Sequence, residues 1–423
     1  MLMKKLTYTL PQKSSKKDFI FNMFGSLINA AVSVSLLVVV SWIMGEKSAG
    51  MFSLSYSTAQ MMYTICLFEM RNIQVTDVKR EFGFESIFTF RIITTILMWL
   101  FFTVFSLVRG YSGEKFFLMT VLTAYMSLLS FSDLFQGSMH INGYLSLAGK
   151  SLAFEVAGAA VAFVVTLLIT KNLLLSVAIM ILVVILWIAF YDIPYSNNFV
   201  KITPKFNFAT QKKIFLCALP LFLSSFMHQY IFNSPKYAID SFLTDVEQSH
   251  YGYLVMPVFC INLLSIFVFR PQLVTLSKEW AEKKLKLFKN TVTKLYLWVG
   301  IVTVLALGVG YFLGIPVLEV LYSADLSGKR NIFMILLLSG GFSAACTLTM
   351  TLLTTMRKQK LCLIAYLITM AFALSVPKLM VASFGLMGAA ISYLCEMALL
   401  FVVMFALFVL NLKKGDEGEY IKE

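Results

Sequence analysis

Residues 220–240 read P-L-F-L-S-S-F-M-H-Q-Y-I-F-N-S-P-K-Y-A-I-D, and after a short acidic turn residues 251–270 read Y-G-Y-L-V-M-P-V-F-C-I-N-L-L-S-I-F-V-F-R. Each run is long and apolar enough to cross ~30 Å of hydrocarbon as a helix. The first nevertheless carries a histidine, an asparagine, a lysine, an aspartate and two prolines. Ionisable groups inside a membrane segment are costly and face a protein interior or a wet cavity. Ser225, Gln229, Asn233, Lys236 and Asp240 recur every three or four residues, which puts them on one helix face, with His228 beside the stripe.

Working outward, the rest of the chain has the same character. It is 59% hydrophobic and 13% charged over 423 residues. Twelve apolar blocks are expected as spans: 19–44, 49–70, 86–108, 116–137, 150–170, 172–191, 214–243, 251–273, 291–313, 332–354, 361–381 and 385–410. The fold class is therefore an all-α polytopic membrane protein. The ten-residue alternation of a membrane barrel is absent. No P-loop, HExxH, GxSxG or Gly-rich dinucleotide pattern occurs in a credible context, so no enzyme, cofactor or metal site is expected. The six cysteines all fall in or beside apolar blocks without CxxC spacing and read as inert thiols.

The formal charge of +13 reflects loop bias rather than nucleic-acid binding. With the N-terminus placed inside, 27 Lys and Arg residues fall on inside segments and 8 on outside ones. Under the positive-inside rule both termini are cytoplasmic. The expected organisation is a cytoplasmic arm (1–18), six spans (19–191), a basic cytoplasmic linker (192–213), six more spans (214–410) and a cytoplasmic tail (411–423). A shift of 199 residues places Glu46 on Asp245, Ser26 on Ser225 and Arg71 on Arg270. Such a parallel duplication gives two six-helix lobes related by a pseudo-twofold axis along the membrane normal, with a central cavity between them.

Polar residues on the first span echo the stripe on the seventh: Asn22, Ser26, Asn29 and Ser33 share a face. Lys236 reads either as a cation for an anionic headgroup or as the i,i+4 partner of Asp240. Arg71, Arg91 and Arg270 sit at span ends, where arginine's planar fork suits phosphate oxygens and where positive-inside anchoring also places it. Glu396, near the middle of the last span, is the first candidate for ion or proton coupling, with Asp133 and Asp240 behind it. Glu155 and Asp133 read more simply as helix-end acids.

The segments quoted at the outset resemble the polysaccharide-biosynthesis (Wzx-type) flippases of the multidrug/oligosaccharidyl-lipid/polysaccharide (MOP) exporter superfamily. Residues 70–84, M-R-N-I-Q-V-T-D-V-K-R-E-F-G-F, and 134–151, L-F-Q-G-S-M-H-I-N-G-Y-L-S-L-A-G-K-S, carry the same resemblance. The loop 138–144 departs from the usual form, with His140 and Gly143 where a more basic residue is common. The resemblance implies a MATE-like pair of six-helix lobes and alternating access. It implies an undecaprenyl diphosphate-linked oligosaccharide as substrate, moved across the bacterial cytoplasmic membrane for capsule, exopolysaccharide or cell-wall polymer assembly. Lys236, Arg71, Arg270 and Arg91 would then meet the diphosphate, and Asn22, Asn29, Gln229, Asn233 and His228 the sugars. Sodium or proton coupling, a monomeric state, and a polymerase and glycosyltransferases as pathway partners are further expectations. A cation-coupled multidrug exporter of the same superfamily is the alternative. A membrane polymerase or ligase is disfavoured by the absence of a large outer loop.

Overall fold

The computed structural model describes residues 7–11, 15–77, 81–269, 272–358 and 360–416. All regular structure within them is helical. In order these are α1 (Ser15–Leu67), α2 (Met70–Thr76), α3 (Phe84–Arg109), α4 (Gly113–Ile141), α5 (Leu145–Thr170), α6 (Leu173–Trp187) and α7 (Ile193–Ser196), followed by α8 (Phe208–Phe242), α9 (Asp245–Phe269), α10 (Leu273–Ala281), α11 (Leu285–Val309), α12 (Ile315–Tyr322), α13 (Arg330–Thr355) and α14 (Lys360–Asp416). Short π-helical turns, Ile188–Asp192 and Gly310–Gly314, join α6 to α7 and α11 to α12.

Ten helical stretches among the described residues are long and apolar enough to cross a membrane. Two of them are hairpins. In α1 the backbone leaves helical geometry at Gly45, with φ of 78°, a region open to glycine. Ser33 and Tyr56 then meet with oxygens 3.5 Å apart, although on a straight helix they would lie about 34 Å apart. In α14 the reversal falls at Gly385 (φ 57°), and a Cβ on Gly388 would sit 1.9 Å from the carbonyl oxygen of Met380. Counting each arm separately recovers the twelve spans read from the sequence.

The chain divides into two compact units, one running to Gln229 and the other from Tyr230 onward, with the division inside α8. In the first unit α1 packs along α5 and α4, and α6 closes on α5 and α4. The α1–α5 crossing is very close. A Cβ on Gly149 would lie 2.6 Å from the backbone of Phe21 and Asn22, and one on Gly25 would lie 2.7 Å from the Gly149 carbonyl oxygen. Small residues let helix backbones approach in this way, and such close packing is one source of helix association within lipid. The Asp18 carboxylate at the start of α1 accepts a hydrogen bond (2.7 Å) from the Ser146 amide in the first turn of α5, where helix N-termini favour anions. Gly149→Ala should therefore cost about 1–3 kcal/mol by overpacking and push the Asn22 turn off α5. A lowered melting temperature in detergent is the check.

In the second unit α13 is central and deeply buried, packed on α14, α9 and α11. Its glycines receive neighbours directly: a Cβ on Gly341 would strike Thr303 of α11, and one on Gly340 would press on α9.

Candidate functional site

The first unit encloses a cavity of about 490 Å3. The first arm of α1 brings Asn22, Asn29 and Ser33 to its wall, and the second arm brings Tyr56, Gln60 and Tyr63. Arg71 and Asn72 enter from α2, Tyr125, Asp133, Gln136 and His140 from α4, and Glu155 from α5. The wall thus mixes amides, phenols, a hydroxyl and a few charges with apolar side chains such as Val32, Met126, Leu129 and Val156. Ser26 and Ser33 spend their hydroxyl protons on carbonyls one turn back in their own helix, at 3.0 Å each.

The charges form an ordered group. Arg71 Nη1 donates to the Asp133 carboxylate (Oδ1, 3.1 Å) and to the Asp133 carbonyl (2.6 Å). Arg91 Nη2 donates to the other carboxylate oxygen at 3.4 Å, and its Nη1 donates to the Cys66 carbonyl at 2.5 Å. Asp133 is therefore held between two guanidinium groups. Arg91 is fully buried and is not among the cavity-lining side chains. Where the sequence puts it with the cationic substrate contacts, the structure places it behind Asp133. Arg71 remains partly open, with 27% of its side chain exposed.

The helix break that positions Arg71 is unusual. Phe68 and Glu69 both have positive φ, 46° and 55°, a left-handed conformation disfavoured for residues with a Cβ. Packing and hydrogen bonding hold it. The Phe68 ring stacks on Phe222 at 4.1 Å, and the Glu69 carboxylate accepts from Ser225 Oγ (2.5 Å) and Asn72 Nδ2 (2.6 Å).

Behind the α5 face of the cavity lies a second polar group. Glu155 and Asp192 are buried, and both contact Ser132 of α4. Asp192, placed by the sequence at the head of a cytoplasmic linker, instead ends the π-helical turn after α6 and points into the unit. The sequence signal for it is an aspartate inside an otherwise apolar run, I-A-F-Y-D-I-P. Tyr56, Gln60 and Tyr63 were also missed, although their spacing repeats that of the asparagine stripe.

The remaining expected residues lie elsewhere. His228 and Gln229 belong to the end of the first unit; Asn233, Lys236 and Asp240 belong to the second. Asn233 and Lys236 are buried, at 1% and 4% exposure. Glu396 is buried in the second unit, where its Oε1 accepts from Ser234 Oγ at 2.6 Å and its Oε2 has no partner among the described residues. Arg270 lies outside the described residues.

No family model matches the sequence, and no curated protein matches it. Solved structures do. The chain is similar over 96% of its length to all of an inward-facing multidrug resistance MATE family transporter of the MOP superfamily, at 12% identity and a TM-score of 0.64. The outward-facing form of such a transporter matches at 13% identity and a TM-score of 0.52, with 96% of each chain covered. A MOP superfamily transporter from Pyrococcus furiosus, whose reversed binding-pocket polarity suggests a different function, matches at 14% identity and a TM-score of 0.55, with 95% of this chain and 96% of that one covered. The fold is that of the MATE transporters. The MATE fold and the long apolar helices together make the chain a multi-pass membrane protein. At 12–14% identity the likeness carries the MATE fold and no residue roles, so the roles of the cavity residues rest on their geometry.

Proposed function

We propose that the chain is a transporter that moves an undecaprenyl diphosphate-linked oligosaccharide across the bacterial cytoplasmic membrane by alternating access, both termini facing the cytoplasm. The observation that carries this reading is the cavity wall of the first unit. Asn22, Asn29 and Gln60 offer amide donors and acceptors, and Tyr56, Tyr63 and Tyr125 offer ring faces, with Arg71 partly open among them. Amides and tyrosines suit sugar hydroxyls and ring faces; a guanidinium fork suits a diphosphate oxygen pair. The sequence resemblance points to the same cargo. Lys236 in the second unit is the further cation for the headgroup. Glu396, Asp133 and Asp240 are the candidates for sodium or proton coupling. The polymer served is a capsule, exopolysaccharide or related cell-wall product, with a polymerase and glycosyltransferases as neighbours in the pathway and the transporter acting as a monomer.

An organic cation is the alternative cargo, favoured by a specific observation: Asp133 and Glu155 place two acids on the same wall as three tyrosines. Acids with aromatic faces suit a lipophilic cation. Thermal unfolding of the protein in lipid nanodiscs separates the two. The expected result is stabilisation by a polyprenyl diphosphate-linked oligosaccharide, lost in Arg71→Ala, and no effect of a lipophilic organic cation. Stabilisation by the cation alone, lost in Glu155→Gln, transfers the protein to the multidrug class.

A further inference from the structure

The group of side chains around Ser132 contains more short oxygen–oxygen contacts than its hydroxyls have protons. Ser132 Oγ lies 2.6 Å from Glu155 Oε2 and 2.8 Å from Asp192 Oδ2. Ser151 Oγ lies 2.6 Å from Asp192 Oδ1. Each of these three contacts needs a hydrogen between its oxygens. Two serine hydroxyls supply two. Ser151 cannot lend a second one, and its lone pairs already accept from Trp187 Nε1 (3.2 Å) and Gln136 Nε2 (3.3 Å). Ser132 likewise accepts from Gln136 Nε2 at 3.0 Å. The third hydrogen has to come from a carboxyl group.

The surroundings say which one. Both Asp192 oxygens are in contact with hydroxyls, so Asp192 is well served as the charged member. Glu155 Oε1 has no hydrogen-bond partner among the described residues, although Glu155 is only 1% exposed. An unpartnered oxygen costs less on a neutral acid than on a buried carboxylate. The proton therefore belongs on Glu155 Oε2, donated to Ser132 Oγ, while Ser132 donates to Asp192 Oδ2. Glu155 also lines the cavity, which gives that proton a route to water.

We propose that Glu155 and Asp192 form a proton-binding site in which Glu155, on the cavity wall, carries one exchangeable proton bridged to Asp192 through Ser132. Binding converts the Glu155 carboxylate and a hydronium ion in the cavity into a carboxyl group and water; release runs the reverse. Without the proton, two buried carboxylates face each other across one hydroxyl, an arrangement that like charges disfavour strongly. Asp192 is the last residue of the π-helical turn Ile188–Asp192. A π turn is a local irregularity often found at functional sites, and it is where α6 yields when Asp192 is repelled from α5. The site thus links the proton content of the cavity wall to the seating of α6 on α4 and α5. The other titratable and charged groups around the pair are Asp133 and Tyr125 of α4, Tyr63 of α1, Tyr191 of the π turn and Arg71 of α2. Of these, Arg71 and Asp133 are already bound to each other.

Trp187 reports on the site directly, because its indole nitrogen donates to Ser151 within the network. The test is a pH titration of tryptophan emission from the whole protein in nanodiscs, with the proton itself as the probe and Trp187→Phe to assign the signal. The expected result is a single one-proton transition that disappears in Glu155→Gln, whose amide supplies the third hydrogen permanently. No Trp187-dependent transition, or one unchanged in Glu155→Gln, overturns the proposal. Should Glu155→Gln fail to give monodisperse protein, infrared spectroscopy of the wild type decides instead. A protonated-carboxyl stretch at neutral pH that is altered in Ser132→Ala supports the site; its absence overturns it. The test uses no cargo, so its outcome is separate from that of the transport reading.

Discussion

Replacing Asp133 by alanine is expected to destabilise the first unit by about 3–5 kcal/mol, the cost of leaving a buried charge without its partner. The carboxylate is shared by Arg71 and Arg91. Arg91 is the residue that suffers, because its side chain is 1% exposed. Once Asp133 is truncated, the acceptor left to the Arg91 guanidinium among the described residues is the Cys66 carbonyl, and Arg91 Nε is already without a partner. Asp133→Asn, which keeps one accepting oxygen, should fall between alanine and wild type. Fluorescence-monitored unfolding in detergent reads the difference. A melting temperature equal to wild type in Asp133→Ala would show that the guanidinium pair is held by packing alone. Because Arg71 shares the same carboxylate, the substitution should also loosen α2 and with it the only described arginine on the cavity wall.

Lys236→Ala is expected to bring polymer export to background while leaving the protein in the membrane at its normal level. The lysine is 4% exposed on α8 beside Pro235. Placing a charge in an apolar span costs free energy, ~2.5–3.5 kcal/mol at a membrane centre on the insertion scale. So costly a group is expected to act on the cargo, and the membrane level of the alanine variant separates that role from a structural one. Lys236→Arg should retain export if charge is what matters. Surface polymer measured against membrane-protein level gives the answer, and wild-type export from the alanine variant would end the role assigned to this lysine.

The span pattern was legible because twelve apolar runs, separated by polar or glycine-bearing breaks, leave few alternatives for a helical membrane chain. Even the hairpin of α1 is foreshadowed by the break after residue 44. The asparagine stripe on α1 was legible for the same reason: polar groups in an apolar run stand out at helical spacing. Tyr56 and Tyr63 did not stand out, because tyrosine reads as part of the apolar run until a cavity is seen beside it. Asp192 escaped for a different reason. A π turn adds a residue to the helical period, so a reading at 3.6 residues per turn loses register there. The placement of Arg91 behind Asp133 depends on a contact between residues 42 positions apart. No local pattern encodes which side of α3 meets α4.

The glycine turns at Gly45 and Gly385 bear on how a cell makes this protein. A pair of spans joined by a long loop sets the insertion machinery the task of carrying that loop through the bilayer. Here the turn is a single residue wide, with Glu46 and Lys47 beside Gly45 and only apolar neighbours beside Gly385. Neither pair has a loop to carry across, so its two arms are suited to enter the membrane together as one hairpin.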